Sequence, residues 1–231
     1  MTTHATTDLA PTGSGTTSRY DGARVLRYAA AAALVAGPLF WGAGLFTSPE
    51  QASMADVDYV SSLARDLTLT QVSALLLHYG NLFIGLGILA APALVRGRRG
   101  GLLVAVGSLL TAVGFTNVSG MILSDWWNAA IGRNLPIEEA ARIFAVFKDS
   151  SLLWLWDSTE MLSLVGPLLL FVGLARAGVL GWYTLGLFIG GFVALILTPT
   201  TMFQLAGILI LVGFSPFALI GMRVAQRLRV E

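Results

Sequence analysis

The sequence predicts an all-α fold, a polytopic transmembrane helical bundle of about six spans. Three observations predict it. Of 231 residues, 55% are hydrophobic and only 12% are charged, about half the charge of a soluble domain. Mean hydropathy is +0.76. The apolar residues also fall into six runs, about 26–47, 69–94, 101–124, 151–175, 179–198 and 202–222, each near the roughly 20 residues that cross a bilayer. Such a composition excludes a disordered chain, a nucleic-acid binder and an ordinary soluble enzyme.

Taken in order, residues 1–22 are rich in Thr, Ser and Gly with no apolar period. They bury too little surface to offset ordering entropy, so a disordered tail is expected. Residues 23–229 are expected to form one transmembrane domain. The first run follows Arg24 and Arg27 as a signal peptide would, but it is too long and has no small-x-small cleavage site. An uncleaved first span is expected. Lys and Arg counts then set the orientation. One side holds ten cations (Arg19, Arg24, Arg27, Arg96, Arg98, Arg99, Arg176, Arg223, Arg227 and Arg229), the other four (Arg65, Arg133, Arg142 and Lys148). Both termini are therefore expected in the cytoplasm, in a multi-pass protein of the plasma membrane.

Two outer loops carry helical patterning. Over 136–149, Ile137, Ala140, Phe144 and Phe147 share a face, with Glu138, Glu139 and Arg142 largely opposite, and Pro136 suits a first helical turn. Over 51–67 the pattern is weaker, with Val57, Val60, Ala64 and Leu67 in line. Short helices in the outer interface are expected, as connectors or as a lid over an outward pocket. Gly186 and Gly190 form a small-xxx-small pair that would allow close helix approach, within the chain or in a homodimer. Pro38, Pro92, Pro167 and Pro216 should kink their spans.

The chain has no cysteine and two histidines, of which His4 lies in the polar tail. No metal site and no haem is expected from a single remaining imidazole. Lys148 is the sole lysine and lies in a polar loop, so an intramembrane Schiff base is not available. No cofactor is expected.

Ionisable groups at membrane depth are costly and need a reason. The fourth run opens SLLWLWDSTEML, with Asp157 and Glu160 three apart on one helical face. Glu160 lies roughly 13 Å along that helix from Ser151 at 1.5 Å per residue. The second run places His78 and Asn81 at the same spacing, with His78 at a similar depth. The third puts Asn117 about 10 Å below its outer end, with Asp125 at the rim. Three helices thus bring polar groups to the outer half of the bundle, while the inner half has almost none. A carboxyl held in low dielectric suits general-acid or proton-carrying work, and His78 is expected to orient it or accept its proton. The blander account is a structural network, with Asn117 as interhelical glue.

Aromatic residues crowd the same level, among them Trp41, Trp127, Trp154 and Trp156. An interfacial belt explains tryptophans there. Turned inward, the same rings would line a pocket for a lipophilic molecule or stabilise a carbocation.

The stretch ALLLHYGNLFIGLGILAAPALVRGRRGGLLVAVGSLLTAVG, with its Arg-for-Lys and Ala/Gly/Leu usage, resembles a broad group of six-helix actinobacterial membrane proteins over residues 24–228. In kind, the chain is also similar to the small membrane-bound terpene cyclases of meroterpenoid pathways, which set acids among aromatics inside a helical bundle. That likeness implies acid catalysis on an isoprenoid, with its acid-plus-aromatic logic falling on Asp157, Glu160, Trp154 and Trp156. The first functional reading is therefore a membrane enzyme of cyclase type. Glu160 and Asp157 serve as acid and charge partner, His78 orients, and Asn81, Asn117, Asp125, Trp154, Trp156, Trp127 and Trp41 line the substrate site. Two further readings stay open: a proton-coupled transporter or accessory subunit, and a structural membrane protein with no catalysis.

Overall fold

The computed structural model describes residues 22–97 and 99–230; of the tail expected over 1–22, only Gly22 falls within them. They form α1 (Gly22–Phe46), α2 (Asp56–Arg65), α3 (Leu67–Gly87), α4 (Gly101–Ile122), α5 (Ser124–Asn134), α6 (Ile137–Lys148), α7 (Leu153–Glu160), α8 (Leu162–Arg176), α9 (Tyr183–Leu197) and α10 (Phe203–Leu228). A 3₁₀ stretch, Ile88–Leu94, extends α3, and a 3₁₀ turn, Thr200–Met202, precedes α10. No strand occurs among the described residues.

Five stretches are long and apolar enough to cross a membrane: Gly22–Phe46, Leu67–Leu94, Gly101–Asn134, Leu153–Arg176 and Thr200–Leu228. The protein is thus an all-α, multi-pass bundle with the makeup of an integral membrane protein. The sixth apolar run differs from the others. It forms α9, whose 15 residues rise about 22 Å against a hydrocarbon core of about 30 Å. Pro199 ends it, since proline holds the preceding residue out of the helical region, and Thr198 is extended at φ −76°, ψ 125°.

The spanning helices close a ring. α1 packs on α3 and α10, α3 on α4, α4 on α8, and α10 on α9, while α8 and α9 meet over a short stretch. Phe115, Phe171, Phe188, Phe214 and Phe217 fill the middle, each at most 2% exposed. Their ring pairs lie 5.3–6.0 Å apart, several of them edge to face, the spacing aromatic quadrupoles favour. Lipid tails are as apolar as this core, so tight association must come from close backbone approach. The α4–α8 seam supplies it. A Cβ built on Gly107 would lie 2.4 Å from Leu170 N, on Gly114 2.1 Å from Ser163 N, and on Gly166 2.3 Å from Thr111 N. Gly186 and Gly190 contribute nothing of this kind, for both face outward with no atom within 4 Å.

The two ends of the ring differ. At one, α2, α5 and α6 pack into a cap with its own small core of Val60, Ile131 and Ala140, flanked by Tyr59, Ile137 and Phe144. Lys148 pairs with Asp56 and ties α6 to α2. Both outer helices predicted from the sequence are present, though Val57 and Phe147 face away from the core. The helix α5 carries no apolar period of its own, and the third run ends before it. Thr200 Oγ1 donates to Gln51 O at 2.9 Å, joining the loop after α1 to the turn before α10 at this end. At the other end Arg24 Nη2 donates to Leu228 O at 2.9 Å, so the described chain starts and finishes on one side. Gly100 turns there with φ +76°, where a side chain would be strained and would strike Gly173 O at 2.4 Å. We call these the cap end and the arginine end.

Candidate functional site

A cavity of about 200 Å³ lies inside the ring, lined by Trp41, Asn81, Phe115, Glu160, Phe192 and Phe214 among others. Each side chain reaches it for a local reason. Trp41 stands three residues after Pro38, near the cap-side end of α1. Asn81 lies on the buried face of α3. Glu160 is the last residue of α7, where the helix breaks at Met161 before α8 resumes. The sequence suggested one continuous span here, and the break sets the carboxyl at a change of helix.

Polar accounting makes this cavity unusual. Asn81 is fully buried. Its amide nitrogen donates to Leu77 O at 2.8 Å, but its Oδ1 has no hydrogen-bond partner among the described residues. Trp41 Nε1 has none either. A buried polar group left unmade costs about 1–3 kcal/mol, and native proteins keep few of them. One apolar cavity therefore gathers an unpaired acceptor, an unpaired donor and the half-buried carboxyl of Glu160. Trp41 packs edge-on against Phe214 at 5.4 Å, which packs on Phe115 at 5.8 Å, so the walls are ring faces and edges.

The remaining sequence-predicted residues lie elsewhere. His78 turns toward α4, where its Nδ1 meets Ser119 Oγ at 2.7 Å and Ser119 O at 3.0 Å; it is not among the residues lining the cavity with Glu160. Asp157 is exposed on α7. Asn117 Nδ2 donates to Trp156 O at 3.1 Å and fastens α4 to α7. Trp127, Trp154 and Trp156 are 65%, 63% and 47% exposed, outward positions that suit a headgroup belt. Asp125 belongs to the cap, where it accepts a hydrogen bond from the Tyr59 hydroxyl. Burial, and after it the Asp125 carboxylate, raises the Tyr59 phenol above its ordinary range, so this hydroxyl remains a donor. No group of three or more histidines and carboxylates able to hold a metal occurs among the described residues.

Sequence reasoning missed Phe192, Phe214 and Ser119. The two phenylalanines sit inside uninterrupted apolar runs, and nothing local distinguishes them from core. Ser119 had a signal, since it shares its turn of helix with Asn117. The cavity wall also includes Met161 and Leu164 on one side and Leu195 beside Phe192 on the other. These belong to α8 with its preceding break and to α9, whose own contact lies farther toward the arginine end at Phe171 and Phe188, 5.5 Å apart. The cavity thus reaches the loosest seam of the ring.

No protein-family model, curated protein or solved structure matches this chain.

Proposed function

We propose that this protein is a membrane-embedded enzyme that uses Glu160 as a general acid on a lipophilic substrate of isoprenoid type, in the manner of a terpene cyclase. One observation carries the reading. Glu160 shares an aromatic cavity with a buried carbonyl oxygen and a buried indole N–H that have no hydrogen-bond partner among the described residues. A substrate headgroup bearing a hydroxyl or an epoxide offers both hydrogen-bond polarities these atoms lack.

The chemistry needs no cofactor. Glu160 gives its proton to an epoxide oxygen or an alkene carbon, and a cation forms on the adjacent carbon. The faces of Trp41, Phe115 and Phe214 favour that cation over its hydrated alternatives. After ring closure a neighbouring C–H proton returns to the Glu160 carboxylate, so the net reaction is an isomerisation. Exclusion of water keeps the cation from capture. At about 200 Å³ the cavity is smaller than the roughly 300–1,000 Å³ typical of ligand pockets. It therefore takes the reacting end of a chain, whose tail extends between α8 and α9 into the bilayer. The excess of cations at the arginine end supports a cytoplasmic position for that end, in the plasma membrane.

The test is mass spectrometry of lipid extracts from an isoprenoid-producing host that expresses the wild type or Glu160→Gln at equal level. A product present only with the wild type is expected. Identical extracts from two folded proteins would remove Glu160 from any catalytic role.

A further inference from the structure

The two unpaired atoms of the Glu160 cavity differ in what they ask of a ligand. Asn81 Nδ2 donates to Leu77 O at 2.8 Å, and a backbone carbonyl can only accept. That bond fixes the amide in one orientation, with Oδ1 as the acceptor left over among the described residues. Trp41 Nε1, also left over, is a donor and nothing else. The indole meets α3 beside this amide. A Cβ built on Gly80 would lie 3.1 Å from Trp41 Cδ1, the ring carbon bonded to Nε1. Ser163 lines the cavity too, but its hydroxyl rotates to serve either polarity and does not discriminate.

We propose, resting on the reading of this cavity as a substrate site, that Asn81 and Trp41 select a free hydroxyl. The molecule held here is a lipophilic alcohol or phenol, not its ether or hydrocarbon counterpart. A hydroxyl accepts from the indole N–H and donates to the amide oxygen. An ether or a ketone satisfies Trp41 and leaves Asn81 Oδ1 unmade, and a hydrocarbon leaves both. An epoxide gains a donor only after Glu160 has protonated it, whereas a hydroxyl brings its own. A site built to bond a hydroxyl rejects the analogue lacking it far more strongly than an apolar pocket rejects a missing methylene. The cause is the buried partner left unpaired. Phe115, Phe192 and Phe214 take the apolar carbons next to the hydroxyl.

Equilibrium binding of tritiated farnesol and farnesyl methyl ether to the detergent-purified full chain tests this. The wild type should bind one farnesol per chain, about tenfold more tightly than the ether. Asn81→Leu should cut that preference to about twofold by weakening farnesol alone. Trp41→Phe should weaken both probes alike and keep the preference, because both accept from the indole. Comparing ratios between variants cancels the partition of each probe into detergent. Equal affinities in the wild type would overturn the proposal and leave a bound water to explain the two atoms. An unchanged preference in Asn81→Leu would overturn it as well, as would no saturable binding of either probe. The wild-type comparison needs no variant to fold. Glu160→Gln separates this from the catalytic reading, for it should keep the preference while forming no product. Product from Glu160→Gln with the preference intact would remove the acid and leave the hydroxyl site standing. Equal affinities, with product still lost in Glu160→Gln, would do the reverse.

Discussion

The two flanks of α8 are built on opposite terms. Toward α4, glycines bring backbones together until no side-chain carbon fits, and Gly166 and Gly114 sit against main-chain atoms. Toward α9, contact is made by two phenylalanine rings, and above them the helices part around a cavity holding a carboxyl and two unpaired polar atoms. In a lipid solvent the first arrangement stabilises association, because apolar surface alone gains nothing by leaving lipid. The second gives up packing and leaves polar groups unmade, which a protein keeps at sites of function more readily than in its scaffold. One helix thus carries the rigid seam on one flank and the candidate site on the other.

Gly114→Leu should break the rigid side outright. Overpacking costs about 1–3 kcal/mol where neighbours can yield, and the neighbour here is the Ser163 backbone at 2.1 Å. No monodisperse protein is expected on gel filtration, and a folded variant would show that the seam can open at Ser163. On the cavity side, Glu160→Gln should lower turnover by about 10²–10⁴-fold, the usual worth of a general acid, with the melting temperature unchanged.

Asn81→Leu sharpens the contrast further. It keeps the volume and removes an unpaired buried oxygen, so stability should hold or rise by about 1 kcal/mol, while turnover falls about tenfold. A clear loss of stability would place Asn81 with the scaffold. In the cap, Tyr59→Phe strips Asp125 of its donor and should cost about 1–3 kcal/mol locally, read as faster proteolysis at the loops bordering α2 and α6 and no change in turnover. Smallest of all, Gly186→Ala with Gly190→Ala should alter stability by less than about 0.5 kcal/mol. A change of oligomeric state on gel filtration would instead mark that face as a contact between copies.

Much of the architecture was legible because apolar run length reports directly on helices long enough to cross a bilayer. The cap helices could be read from three- and four-residue periodicity, down to Val60 and Ala140 as buried positions. Level along the bundle was legible too, since it follows from counting residues, and Asn81 and Glu160 line one cavity. Azimuth was not. Depth arithmetic set His78 beside Glu160, yet its ring points across to Ser119 on α4. Asp157, one helical turn before Glu160 in α7, is exposed rather than turned into the cavity. Glycine spacing did not mark the close approach within the chain either. The four-residue pair Gly186 and Gly190 faces open space, whereas the working seam pairs glycines seven apart, Gly107 with Gly114 and Gly166 with Gly173. Which face a helix turns inward depends on its neighbours, and one sequence does not name them.

The shortness of α9 has a consequence for the surrounding lipid. Trp182 and Tyr183 are exposed at one end of this helix, and Ile196 and Leu197 at the other. A helix of about 22 Å falls some 8 Å short of an average hydrocarbon core. In a bilayer such a mismatch costs a fraction of a kcal/mol per Å, and local thinning is one way to meet it. Thinning on this flank would disorder the acyl chains directly outside the α8–α9 seam and, on the proposed function, would shorten the climb of a lipid-borne headgroup to the level of Glu160. Membrane thickness would then govern access to the cavity without touching a residue inside it.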